Sequence, residues 1–367
     1  MKAPVITITN YCLNHVRYFD WLVTGFGLLQ EQGKVDLRFN LPAAKAALKH
    51  RYIRWGAKAI APSLVNKING AMWWLEGTID FGGTVSRFVF DVTDHGHAYA
   101  EELLPHCHRY FKCQLPDTFP HPQQICKNIS RNMPQAAVEN AHKVKPAMLG
   151  RPLSRALDFR KNIAILRDWE CKATQKKSTR ILAYFGGDND PESTSRLKDF
   201  QGQYQHPNVK RGSLVRYLRQ CGAANIDARL VNSQDPSLIG PELADDDSYA
   251  KTVADAAYNL NISGLSLSLP FRFIDSFMVG TSVITDSLGI HWYEPFDSEE
   301  VIELGLMGYE LNDDVNWHAI EARIHELAHS DDKNDAERSK HLLDRYQRLW
   351  SPVALANYVI NSCQQAV

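Results

Sequence analysis

Along this chain, short runs in which apolar and polar residues alternate give way repeatedly to stretches where apolar positions return every three or four residues. Pro4 to Thr9 is β-branched and reads as a first strand. Tyr18 to Leu29 is an apolar helical stretch closed by Gln32-Gly33, and Val35 to Phe39 alternates with period two. Arg87 to Asp91 is another strand, followed by a helix around Ala98 to Leu104 and a short apolar run at Tyr110-Phe111. This βαβ rhythm predicts a parallel sheet with helices on both faces.

From about Pro120 to Thr179 the rhythm breaks, with Lys145-Pro146, Gly150-Arg151-Pro152 and a helix around Leu157 to Trp169. A second α/β rhythm then begins with a strand at Arg180 to Phe185 entering Gly186-Gly187. It continues with a helix from Ser213 to Gln220, a strand from Ile226 to Val231 and a helix from Tyr249 to Ala257. The tail is helical, with Trp317, Ile320, Ile324 and Leu327 at helical spacing, and again Leu342, Leu343, Tyr346, Leu349 and Trp350. The expected organisation is therefore an α/β N-terminal Rossmann-like domain over 1–150, a helix-bearing linker over 151–179, and a second Rossmann-like domain over 180–335. Terminal helices over 336–367 are expected to pack back on the first domain.

Charge narrows the classes of function. Among 367 residues, 41 are basic and 42 acidic, so the excess of positive charge that marks a dedicated nucleic-acid binder is missing. No run approaches the roughly 20 apolar residues that span a bilayer. The seven cysteines, an odd and scattered number, form no disulfide framework. The opening strand lacks the apolar core of a signal peptide, so a cytoplasmic location is expected.

The richest stretch for chemistry is Asn259 to Gly264, then Pro270 to Gly280, then Thr281 to Asp286. It reads as a strand ending in Ser263-Gly264, a loop, a short helix, Gly280 and a buried strand. Arg272 and Asp275 are three apart and share a helix face. An arginine offers two-pronged recognition of phosphate, and a carboxylate one turn later can accept from a ribose or sugar diol. The plainer alternative is a local salt bridge on a solvated helix. Arg272, Asp275, Gly280, Val283 and Ile284 together resemble the R-x-x-E/D-x(4)-G-x-x-V-I pattern of GT-B glycosyltransferases, nearest to the exostosin-like and spore-coat-like groups. The resemblance implies two Rossmann-like domains facing a central cleft, with a nucleotide sugar on the C-terminal one and Asp275 at the donor ribose. Where the common retaining pattern has a second acid, this chain has Leu267.

Other candidates gather around that reading. Lys210 or Arg211, beside Gly212, could neutralise a leaving diphosphate; an exposed basic turn is the plainer alternative. Gly186-Gly187 lets backbone approach a ligand, as a simple tight turn also would. In the N-terminal half, Asp91-Val92-Thr93-Asp94-His95-Gly96-His97 follows a strand, and Asp94, His95 or His97 could deprotonate an acceptor hydroxyl. His15 is a further candidate base. No metal or other cofactor is expected, because cationic side chains serve the diphosphate. His106, Cys107, His108, Cys113, His121 and Cys126 match no common zinc spacing. Between Asp36 and Glu76, basic residues (Arg38, Lys45, Lys49, Arg51, Arg54, Lys58, Lys67) interleave with Tyr52, Trp55, Trp73 and Trp74. Such a helix suits an anionic membrane surface, so peripheral contact through 38–75 and a lipid-linked glycan acceptor are expected. The alternatives are a metal-dependent hydrolase built on the Asp91–His97 cluster and a non-catalytic binding module of the same form.

Overall fold

The computed structural model describes residues 3–13, 15–43, 58, 60–61, 63, 73–126, 129–154, 158–174, 177–187, 207–220, 225–233, 235–240, 246–264, 267–308, 310, 314–330 and 334–367. The chain forms two compact units. One comprises Met1–Leu115, Met133–Ile165 and Ser351–Val367; the other comprises Pro116–Asn132 and Leu166–Trp350.

The first unit is built on β1 (Val5–Tyr11), β2 (Asp36–Phe39), β3 (Trp74–Asp80), β4 (Val85–Asp91), β5 (Arg109–Lys112) and β6 (Val144–Pro146), in the order β2-β1-β3-β4-β5-β6. Helix α1 (Asp20–Glu31) buries Trp21, Leu22, Phe26 and Leu29, and a short α2 covers Gln135–Glu139. The sheet is mixed and not parallel throughout, because β3 runs antiparallel to both β1 and β4. The connection from β3 to β4 is a tight turn, too short for the crossover that parallel neighbours need. Asp80 Oδ1 closes it by accepting from the backbone N–H of Gly82 (2.9 Å) and Gly83 (2.6 Å). The helix expected around Ala98 to Leu104 is also absent. Residues 92–103 run as loop and turns into a 3₁₀ turn at Leu104–His106. Side chains of β5 take main-chain groups there: Lys112 Nζ donates to Ala98 O (2.8 Å), and Tyr110 Oη accepts from Ala100 N–H (2.8 Å).

Helix α3 (Phe159–Glu170) carries the chain into the second unit. There β7 (Thr179–Gly187), α4 (Pro207–Gln220), β8 (Ile226–Asn232), α5 (Asp246–Ala254) and β9 (Ala256–Leu260) are followed by α6 (Arg272–Met278), β10 (Ser282–Ser287), β11 (Val301–Met307), α7 (Asp314–Ala328) and α8 (Asp335–Arg345). The five strands are all parallel, in the order β8-β7-β9-β10-β11. The central strands β9 and β10 are buried almost throughout, as suits strands covered on both faces, whereas the edge strands β8 and β11 are only partly buried. Ile181, Phe185, Leu214, Leu218, Leu230, Ile320 and Ile324 share one core cluster. Helix α4 begins at Pro207, earlier than the expected Ser213, so Lys210 and Arg211 lie inside the helix rather than before it.

After α8, a π turn at Tyr346–Trp350 buries both end residues, and Trp350 Nε1 donates to Glu300 Oε1 (2.7 Å). The last helix, α9 (Pro352–Gln364), belongs to the first unit and packs on α1. Within that unit Tyr358 Oη donates to Pro146 O (2.8 Å). Among the described residues no helix is long and apolar enough to cross a membrane. In the basic segment, Lys45, Lys49, Arg51, Tyr52, Arg54, Trp55 and Lys67 lie outside the described residues. Trp74 opens β3, with Trp73 just before it, and neither sits on a helix.

Candidate functional site

In an open parallel sheet, ligands bind outside the carboxyl ends of the strands where the strand order reverses. In the second unit that reversal falls between β7 and β9, since β8 lies on one side of β7 and all later strands lie on the other. Gly186-Gly187 ends β7, and Ser263-Gly264 follows β9, so these four residues flank the crevice. Two guanidinium groups approach the same place. Arg272 lies 5.5 Å from the Phe185 ring centroid and donates from Nη1 to Tyr184 O (2.6 Å). Arg211 lies 5.8 Å from the same ring. Both arginines are half-buried. Among the described residues Arg272 forms no ion pair, so the salt bridge to Asp275 is not made.

The remaining donor-side candidates are placed differently. Asp275 is fully buried, so its carboxylate does not meet solvent as a ribose contact requires. Its helix, α6, spans seven residues and has no side-chain cap. Lys210 is buried too, and its ammonium donates to Gly308 O, beside the Ser263–Asp286 pair. There it also attracts Asp286. Asp286 was not visible as a site residue, yet it organises the crevice floor. It accepts from Ser263 N–H (2.8 Å), from Ser263 Oγ and from Thr285 Oγ1 (3.0 Å). Burial pushes its pKa up, against the pull of the Ser263 hydrogen bonds and Lys210. Gly308 completes the cluster by proximity: a Cβ there would stand 2.4 Å from both Asp286 Oδ2 and Ser263 Oγ. The sequence does not single out Asp286, because it stands in a strand, Ser282–Ser287, that mixes apolar with hydroxyl residues. Leu267, at the position of the missing acid, is buried and held at φ 62°. A left-handed non-glycine residue stores roughly 1–3 kcal/mol of strain and is found disproportionately in ligand loops.

In the first unit, β1 and β4 run in the same direction, so Tyr11 and Asp91 end at one edge, with Trp74 beginning β3 there. Asp91 is fully buried and engaged. Thr93 N–H (2.7 Å) and Oγ1 (2.5 Å) donate to Oδ1, while Tyr110 Oη (2.6 Å) and Lys112 Nζ (3.1 Å) donate to Oδ2. Those four bonds use the acceptor capacity of a carboxylate. Asp91 thus anchors the loop that presents Asp94, His95 and His97, and the hydrolase alternative loses its first acid. Asp94 has a raised pKa through burial, opposed by His95, Lys112 and Arg17. The His95 and His97 rings are 5.4 Å apart. The structure also brings His15 to this edge, stacked on Trp73 at 3.6 Å, with burial and Arg17 lowering its pKa. Val92 N–H donates to Trp73 O (2.8 Å), which ties the stack to the Asp94 loop. Of the cysteine and histidine candidates, Cys107 and Cys113 are buried thiols whose pKa values burial raises.

No family model and no curated protein matches this chain. Among solved structures, the chain is similar to that of a GtfA/B complex, at 7% identity and TM-score 0.39, covering 81% of this chain and 66% of that one. It is also similar to Anabaena Alr3699/HepE in complex with UDP, at 9% identity and TM-score 0.37, covering 100% of both chains. The same protein in complex with UDP-glucose gives 9% identity and TM-score 0.35, covering 98% of this chain and 100% of that one. These scores fall below the level at which a shared fold follows.

Proposed function

We propose that this protein is a glycosyltransferase that moves a sugar from a nucleotide-sugar donor to a glycan acceptor. The observation that carries the reading is the convergence of Arg272 and Arg211 on Phe185 at the reversal point of a parallel sheet, beside the Gly186-Gly187 and Ser263-Gly264 turns. Departure of a nucleoside diphosphate builds negative charge, and two fixed guanidinium groups beside exposed backbone are suited to stabilise it. In this reading Arg272 and Arg211 hold the diphosphate. Asp286, through Ser263, keeps the β9 turn in place.

The acceptor chemistry belongs to the first unit. A carboxylate with a raised pKa is a stronger base than a free one, which suits Asp94 to take the proton of an acceptor hydroxyl, with His95 and His97 as the other candidates. A lipid-linked glycan acceptor and peripheral membrane contact through 38–75 complete the proposal. Retention in the supernatant during sedimentation with anionic vesicles would remove the membrane part.

The test of the central reading is a thermal-shift panel of UDP, GDP, ADP, CDP and dTDP, followed by assay of diphosphate release from the matching nucleotide sugars. A rise in Tm with one diphosphate, and turnover of its sugar, is the expected result. No stabilisation by any diphosphate and no turnover would overturn the proposal.

A further inference from the structure

Lys210 stands in the first turn of α4, four and eight residues before Leu214 and Leu218. All three are buried, so the lysine lies on the face by which the helix packs. A leucine there would extend the core, whereas an ammonium must be compensated, and a buried ion pair is weak evidence of a stabilising role. The charge is met at the carboxyl edge of the sheet. Nζ donates to Gly308 O, just beyond β11, and attracts the fully buried Asp286 of β10. Asp286 in turn accepts from Ser263 N–H (2.8 Å) and Ser263 Oγ, after β9, and from Thr285 Oγ1 (3.0 Å) in its own strand. An ionised carboxylate is acceptor-only and can take all three, and the Lys210 charge favours the ionised form.

The next residue is Arg211. Adjacent helix positions are about 100° apart, so pinning Lys210 fixes the direction in which Arg211 leaves α4, toward the Phe185 ring of β7 at 5.8 Å. One ammonium is thereby linked to four strand ends: β10 and β11 directly, β9 through Asp286, and β7 through Arg211.

We infer that Lys210 is a positioning residue of the nucleotide crevice, holding the Ser263-Gly264 turn through Asp286 and aiming Arg211, without itself touching the diphosphate. The inference rests on the reading of that crevice as a nucleotide-sugar site, and its test separates the two.

The test is a double-mutant cycle on the full chain. Lys210→Met, Arg211→Ala and the pair are titrated calorimetrically with whichever of UDP, GDP, ADP, CDP and dTDP raises Tm most. Each single change should weaken binding about tenfold, and the pair should fall well short of the roughly hundredfold loss that independent contacts give. A full hundredfold loss in the pair, or unchanged affinity in Lys210→Met, overturns the inference. Hydrogen exchange without ligand supplies a second reading. The Ser263 amide should exchange about tenfold faster in Lys210→Met while the β7 amides keep their protection. Lys210→Gln, which keeps a donor for Gly308 O and loses the charge, carries both readings if the methionine variant does not fold. If no diphosphate binds the unaltered chain, the nucleotide-sugar reading falls, and exchange at Ser263 alone decides whether Lys210 holds the turn. Unchanged protection there overturns that as well.

Discussion

The Arg272 guanidinium donates from Nη1 to the Tyr184 carbonyl, which leaves its other nitrogens for the diphosphate contact proposed above. Arg272→Ala should lower the affinity for the stabilising diphosphate by roughly tenfold to a hundredfold, the range for a charge-assisted contact. Arg272→Lys should recover part of that loss, since lysine restores the charge without the fork. Equal affinities by calorimetry would remove Arg272 from the site. Lys177 supplies a different test. Its ammonium is buried, donating to Ala254 O (2.8 Å), and burial lowers its pKa from 10.5 to about 8. Below that value both folded and unfolded chains carry the charge, and the cost of burying it is fully present. Between about 8 and 10.5 the unfolded chain binds the proton more tightly, so stability should rise with pH by up to about 3 kcal/mol. Denaturant unfolding of the unaltered protein and of Lys177→Met at pH 7.5 and pH 10 should show the rise in the first and its loss in the second.

At the scale of elements, α6 and β10 are joined through a position where only glycine fits. Gly280 has φ 67°, and a Cβ there would stand 2.2 Å from Ser339 Oγ and 2.9 Å from Ser339 O on α8. Gly280→Ala should therefore cost roughly 2–4 kcal/mol, combining left-handed strain with a clash, and scanning calorimetry should show a drop in Tm of several degrees. This glycine was legible, because it stands between a helical run and the apolar strand Val283-Ile284. In the second unit β7, β8 and β10 were legible, from Ile181-Leu182-Ala183, from Ile226 to Val231 and from Val283-Ile284, and β11 was not, because Glu303 and Gly305 interrupt it. β3 was not, since Glu76 and Gly77 interrupt it and its direction is set by a turn rather than by its own residues. Asp286 and Gly308 meet Ser263 only after three strands have been laid side by side, and nothing local announces that.

On the scale of the whole molecule, the first unit is assembled from three separated stretches of chain, and α9 is the last of them. Tyr358 holds it there, donating to Pro146 and setting its ring edge-on to Phe111 at 5.8 Å. Tyr358→Ala should destabilise that unit by about 1–3 kcal/mol, since the ring is half-buried and its hydrogen bond is lost with it. Hydrogen exchange should then quicken in α1, β4 and β5 while protection in β7, β9 and β10 persists. Equal loss of protection in both sheets would show that the units do not unfold separately. The return of α9 also has a consequence during synthesis. Domains ordinarily fold in the order in which they leave the ribosome. Here the opening strands emerge first, yet their final cover arrives only after every residue of the other unit has been made. Nascent α1, β4 and β5 must therefore wait with one flank uncovered, which makes this early half a natural client for chaperones that shield exposed apolar surface.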